Sequence, residues 1–322
     1  MSNTSALSRG PHLFTSAAKG LTFEYIVHHP GPSPHPRDLV VIHPPAWGLG
    51  SEYLQTGLGD LATTPSTPPS GTHPAPQTRR PLLFFHPRGT NNSSLPPDPG
   101  SMMSSMPDLA SDLEDLRQHL GLDEFPALLG HSNGGAIVLG YAELYPFRVR
   151  KLGLLNHSLV GFTDRRVRDV RVREDERYSE AWRMMGQDPE TDKEFTDMVS
   201  RIWPLYFYDV GFVDRLRRDV GERVMSVKCW RSVYGCDGAL RNPRQMLDGL
   251  ERVQAKTLIL FGKDDLICGP AVAERSNEGI RDAILLGYDC CGHFPWIEKK
   301  EQTLGDIAAF LDTGRVRSNM CI

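Results

Sequence analysis

The stretch PALLGHSNGGAIVLGYAELYP, Pro126 to Pro146, has Gly130-His131-Ser132-Asn133-Gly134 at its centre, and the reading of that pentapeptide decides the fold. A G-x-S-x-G sequence recurs by chance. It carries chemistry only where a strand runs into it and a helix leaves it, because the chain then turns so sharply that side chains at both flanking positions would collide, and glycine removes the clash. Both neighbours are legible here. Phe125 to Leu129 is a short apolar run, and from Gly135 onward Ile137, Val138, Tyr141, Ala142 and Leu144 recur at helical spacing until Pro146 ends the pattern. Such a turn lifts the serine hydroxyl above a sheet edge. It also sets the Asn133 N–H at a helix N-terminus, where it can receive developing negative charge. Ser132 is therefore a candidate nucleophile and Asn133 a candidate oxyanion donor.

Working outward, strand and helix alternate. Leu21 to His28 alternates like a half-buried strand, while Leu39 to Ile42, Leu82 to Phe85 and Thr257 to Phe261 are continuous apolar runs of the kind covered on both faces, with Leu152 to Leu155 a weaker case. Helices are predicted at Glu52 to Leu61, Met106 to Leu120, Gly135 to Leu144 and Glu301 to Leu311. The expectation is an α/β protein with a mostly parallel sheet wrapped by helices. Two stretches interrupt this rhythm: a Pro/Ser/Thr-rich segment from Ala62 to Arg80, and a long helical region, roughly Thr163 to Ala255, between two core strands.

A nucleophilic serine in this setting needs an acid and then a histidine further along the chain. Gly262-Lys263-Asp264-Asp265 follows the strand Thr257 to Phe261, and Tyr288-Asp289-Cys290-Cys291-Gly292-His293-Phe294 follows the run Ala283 to Leu286. Groups at the carboxyl ends of parallel strands converge in one crevice, so His293 is the candidate base and Asp264 or Asp265 the candidate acid. A lone histidine is more often structural, and adjacent aspartates often cap a segment; the shared order and strand-end placement favour catalysis. His131, although next to the serine, is expected to point away on the turn.

With 322 residues, 39% hydrophobic content and a formal net charge of −4, the chain can bury a large core and is not built for general nucleic-acid binding. Six cysteines show neither a paired framework nor zinc spacing, so no metal or other cofactor is expected. The N-terminal MSNTSALSRGPHLF lacks the apolar segment of a signal peptide, and no apolar run has the length of a membrane span. A reduced, cytoplasmic protein acting on a small molecule is the expectation.

GHSNGGAIVLGYAELYP, GKDD and GHFPW together resemble the α/β-hydrolase fold family, in its proline iminopeptidase-like branch as found in fungi. PAWGLGSEYLQTGLGDL (Pro45 to Leu61) resembles that branch's P-G-W-G segment, and HPRGTNNSS (His86 to Ser94) its strand-to-loop stretch containing R-G. The resemblance implies a hydrolase core at 1–162 and 256–322, with the loop at 62–80, and a helical cap at 163–255. It puts Ser132 on the nucleophile, His293 on the base and Asp265 on the acid, with Asp264 as runner-up. The second oxyanion donor of this fold comes from the loop here reading His43-Pro44-Pro45-Ala46-Trp47-Gly48. Proline has no N–H, which leaves Ala46 or Trp47.

The insert contains many aromatic residues, and Trp47, Trp203, Tyr206 and Phe294 are candidate substrate contacts, although most such residues equally suit a small core of the insert. Proline iminopeptidases hold a free amine with cap carboxylates, for which Glu174, Glu176 and Glu180 are available. Three functions are weighed. The first is a serine hydrolase on an ester, lactone, thioester or peptide-like bond, including an iminopeptidase. The second is a biosynthetic enzyme that cyclises, releases or cleaves a metabolite skeleton. The third, non-catalytic binding, is disfavoured by a complete set of catalytic residue types.

Overall fold

The computed structural model describes residues 4–29, 31, 35–65, 80–163, 175–237 and 244–317. Most of the proline-rich stretch (66–79), Glu174, Cys321 and most of the mixed charge run at 165–177 lie outside them.

Eight strands form one sheet in the order β1-β2-β4-β3-β5-β6-β7-β8: β1 Gly10–Thr15, β2 Thr22–His28, β3 Val40–His43, β4 Leu82–Phe85, β5 Ala127–His131, β6 Lys151–Leu155, β7 Lys256–Gly262 and β8 Ala283–Tyr288. β2 runs antiparallel to both β1 and β4; every pairing from β4 to β8 is parallel. The apolar runs explain this centre. Val40 to His43 and Leu82 to Phe85 are buried at every position, as strands covered by helices on both faces must be. α1 (Glu52–Leu58), α2 (Ala110–His119), α3 (Asn133–Leu144), α8 (Pro270–Gly279), α9 (Pro295–Glu298) and α10 (Lys300–Thr313) belong to this core. Between β6 and β7 the described residues add α4 (Ser179–Met184), α5 (Asp192–Ile202), α6 (Val213–Val220) and α7 (Val227–Asp237).

Three elements differ from the sequence expectation, the third being α9, a four-residue turn of helix too short to show a period. β1 went unread because it is an exposed edge strand with one buried side chain, Phe14, and so lacks an apolar run. α8 went unread because its buried residues are few and small, Val272, Ala273 and Ser276. Arg88, in the turn after β4, is fully buried and grips Asp112 of α2 through two 2.7 Å bonds. Removing one partner of such a pair strands a buried charge, at a cost of about 3–5 kcal/mol. Among the described residues, no helix is long and apolar enough to cross a membrane.

Candidate active site

Ser132 sits between β5 and α3 with φ 57° and ψ −126°, a region that non-glycine residues avoid. Its neighbours permit the turn. A Cβ on Gly130 would lie 2.4 Å from the carbonyl oxygen of Gly134, and one on Gly134 would lie 2.4 Å from that of His43. The second approach brings the loop after β3 against the start of α3. The Asn133 side chain then fastens the two together: its Oδ1 accepts the Ala46 N–H at 3.1 Å and its Nδ2 donates to Ser105 Oγ at 3.1 Å.

This contact separates the candidate oxyanion donors. The Ala46 N–H is engaged, and no hydrogen bond engages the Trp47 N–H among the described residues. Trp47 also lines the cavity over Ser132, whereas Ala46 does not. The Asn133 N–H opens α3 and has no acceptor within the helix.

His293 and Asp265 meet at the carboxyl ends of β8 and β7. The His293 Nδ1 donates to Asp265 Oδ2 at 2.8 Å, with both groups almost wholly buried. The same Oδ2 accepts the Asn156 amide at 2.8 Å, and Oδ1 accepts the Ile267 and Cys268 N–H groups at 2.8 and 3.2 Å. Burial alone would raise the Asp265 carboxyl, but the charge and hydrogen bond of His293, with the amides of Asn156 and Ile267, hold it below the ordinary aspartate range. The bond at Nδ1 leaves Nε2 as the imidazole's proton acceptor. Nε2 has no partner among the described residues, and His293 lines one cavity with Ser132 without a hydrogen bond between them. Such bonds commonly close only when substrate arrives.

Asp264 is placed elsewhere. Its carboxylate accepts the Cys291 N–H at 3.4 Å, and it lines a separate cavity with Glu176 and Tyr208. His131 corrects the sequence expectation. Its ring does not point away: it packs on His293 at 4.6 Å between centroids, its Nε2 donates to the His293 carbonyl (3.1 Å), and its Nδ1 accepts from the Tyr53 hydroxyl (2.8 Å). Burial pushes it well below the ordinary histidine range, so it is a neutral support for the neighbouring ring. Asn156 was missed from sequence. It stands alone after β6, and nothing in one sequence separates an asparagine that holds a carboxylate from one that makes a turn.

Asp265, Cys268 and His293 also bring possible ligand atoms within 4.8 Å of one another. The carboxylate and imidazole are already joined, and the other carboxylate oxygen is taken by two backbone N–H groups, so the donor set fits a hydrogen-bonded pair better than a metal site.

The cavity over Ser132 is mostly apolar, with Ser132, His131, His293 and Tyr206 its polar residues. Pro45, Leu49, Leu216 and Val220 line it, together with Trp47, Trp203, Tyr206 and Phe294, the four aromatic residues singled out in the sequence. Of the available acids, Glu176 lies in the separate cavity and Glu180 pairs with Arg201 at 2.7 Å.

A family model described as the alpha/beta hydrolase fold matches residues 69–300. The chain is similar to the proline iminopeptidase of Lactobacillus delbrueckii subsp. bulgaricus, 26% identical over 251 residues covering 72% of this chain and 81% of that protein. It is similar to that of Lactobacillus helveticus at 24% over 250 residues, covering 72% and 80%. Among solved structures, the esterase RhEst1 from Rhodococcus sp. ECU1013 superposes with a TM-score of 0.66 at 17% identity, covering 94% of this chain and 99% of that one. The meta-cleavage product hydrolase CumD from Pseudomonas fluorescens IP01 superposes with a TM-score of 0.65 at 15% identity, covering 94% and 98%.

Proposed function

Because the chain belongs to the alpha/beta hydrolase fold family, we propose that it is a serine hydrolase whose Ser132, His293 and Asp265 open a neutral acyl substrate with an apolar acyl chain, an ester, lactone or thioester, through an acyl-enzyme. The observation that carries this reading is the Asp265–His293 pair, joined at 2.8 Å, whose remaining ring nitrogen lacks a partner and whose histidine lines the same small cavity as the strained Ser132. His293 takes the Ser132 proton as Oγ attacks the acyl carbon, and Asp265 stabilises the imidazolium. The proton passes to the leaving group, and water activated by the same imidazole releases the acid. The N–H groups of Asn133 and Trp47 receive the oxyanion; one such donor is worth about 2.7–4 kcal/mol of barrier.

Similarity to proline iminopeptidases favours a second reading, in which the acyl group is an N-terminal prolyl residue. Against it, no carboxylate lines the Ser132 cavity among the described residues, so a charged amine there would be desolvated without a partner. Measuring kcat/KM for p-nitrophenyl butyrate and for L-proline p-nitroanilide decides between them. The ester is expected to be at least about a hundredfold better, after correction for intrinsic reactivity. A preference for the prolyl amide would overturn the ester reading.

A further inference from the structure

The cavity touching Ser132 measures about 10 Å³, room for roughly one water where a ligand needs roughly 300 Å³ or more. Substrate must therefore displace part of its wall. Two larger cavities lie beside residues of the β6–β7 insert. One, about 340 Å³, is lined by Asp175, Tyr178, Tyr208 and Asp264 among others and shares no residue with the catalytic cavity. The other, about 310 Å³, shares two: Trp203 and Val220. Trp203 and Val220 thus stand where the two cavities come together. Val220 is the last residue of α6, where helices open most cheaply, and Trp203 stands where α5 gives way to the tighter turn Trp203–Tyr206. Gly221 follows with φ 71° and ψ −163°, and a Cβ there would meet nothing within 4 Å, so the chain beyond Val220 turns through an unpacked glycine.

Resting on the serine-hydrolase reading above, we propose that the second cavity is an outer substrate chamber, that Trp203 and Val220 are the specificity-determining gate between it and Ser132, and that the substrate is an elongated acyl compound with a polar far end. The chemistry of the two spaces differs as this requires. Apolar Pro45, Leu49, Leu216 and Phe294 surround the catalytic end, while the outer chamber sets Lys193, Asp197, Ser200 and Arg223 beside apolar Val224 and Met225. An alkyl chain passing the gate leaves its distal polar group among donors and acceptors.

Two alkyl fluorophosphonates, one with a short chain and one with a long chain ending in a polar ether, test this through their labelling rates at Ser132. Each attaches by displacement of fluoride by the serine oxygen. The expected result is that Ser200→Trp, which fills the outer chamber, lowers the long-to-short rate ratio by about tenfold or more, and that Trp203→Ala raises it. If Ser200→Trp unfolds the insert, as circular dichroism would show, Val224→Trp fills the chamber from an exposed position (64% exposed). A ratio within about twofold of the parent in both a folded chamber-filling variant and Trp203→Ala overturns the proposal while leaving the hydrolase reading intact. Failure of the short probe to label Ser132 in the parent overturns the hydrolase reading, and the chamber with it.

Discussion

Asp264 and Asp265 are neighbours in the chain with opposite surroundings, and the difference is testable. Asp265 is buried against His293, whereas Asp264 faces a cavity that touches neither Ser132 nor His293. Asp265→Asn is expected to lower kcat by at least about a thousandfold, because an amide there favours the wrong imidazole tautomer, and Asp264→Asn by no more than about threefold. The opposite order, in proteins that remain folded, would put the acid in the wrong register. Asn156 donates to the same oxygen as His293. Removing a hydrogen bond to a charged group costs about 1.5–3 kcal/mol, so Asn156→Leu is expected to lower kcat by about tenfold to a hundredfold in steady-state assays. At this scale the sequence picked out Ser132, His293 and the aspartate pair as candidates, since strand ends, glycines and chain order constrain them. It did not show Asn156, the Asn133 clamp on Ala46 or the inward face of His131, because these roles depend on which strand ends lie side by side.

Among the elements, α3 fixes the Ser132 turn and carries a buried acid of its own. Glu143 is 2% exposed, neither of its oxygens has a hydrogen-bond partner among the described residues, and Arg252 approaches only to 3.7 Å. Burial pushes its carboxyl up to about 9, against the weaker pull of Arg252. The folded state thus holds a proton that the unfolded chain gives up at ordinary glutamate pH. This contribution to stability is complete below the unfolded value and is lost as pH rises through the folded one, a window from about pH 4.5 to about pH 9. Glu143→Gln, which stays neutral, is expected to melt higher than the parent at the alkaline end and to flatten the parent's decline, as thermal unfolding followed across that window would show. Equal pH slopes in the two proteins would mean that Glu143 is ionised in the fold. The long buried helices and strands were legible from periodicity. β1, α8 and α9 were not, because an edge strand, a helix with small buried residues and a four-residue helix carry too little apolar signal.

For the whole molecule, the parallel strands separate chemistry from connection. Ser132, Asn156 and His293 follow the carboxyl ends of β5, β6 and β8, and Asp265 that of β7. The described residues on either side of 66–79, Ala62 and Arg80, lie at the opposite edge. The Arg80 N–H donates to Ala62 O at 3.0 Å, and its guanidinium binds Leu61 O and Asp312, so the two ends of the connection already meet. Replacing 66–79 by a short Gly/Ser linker is expected to leave kcat/KM within about threefold of the parent, roughly 0.65 kcal/mol of barrier. A hundredfold loss in a folded variant would show that the connection reaches the site. The central claim, that Ser132 is the nucleophile, is tested most directly by intact-mass and peptide analysis after treatment with a short-chain fluorophosphonate. One phosphonyl adduct, confined to the peptide containing Ser132 and absent from Ser132→Ala, is expected, with ester hydrolysis by that variant down at least about a thousandfold. A folded Ser132→Ala protein that keeps the parent's rate, or an adduct on another residue, would contradict it.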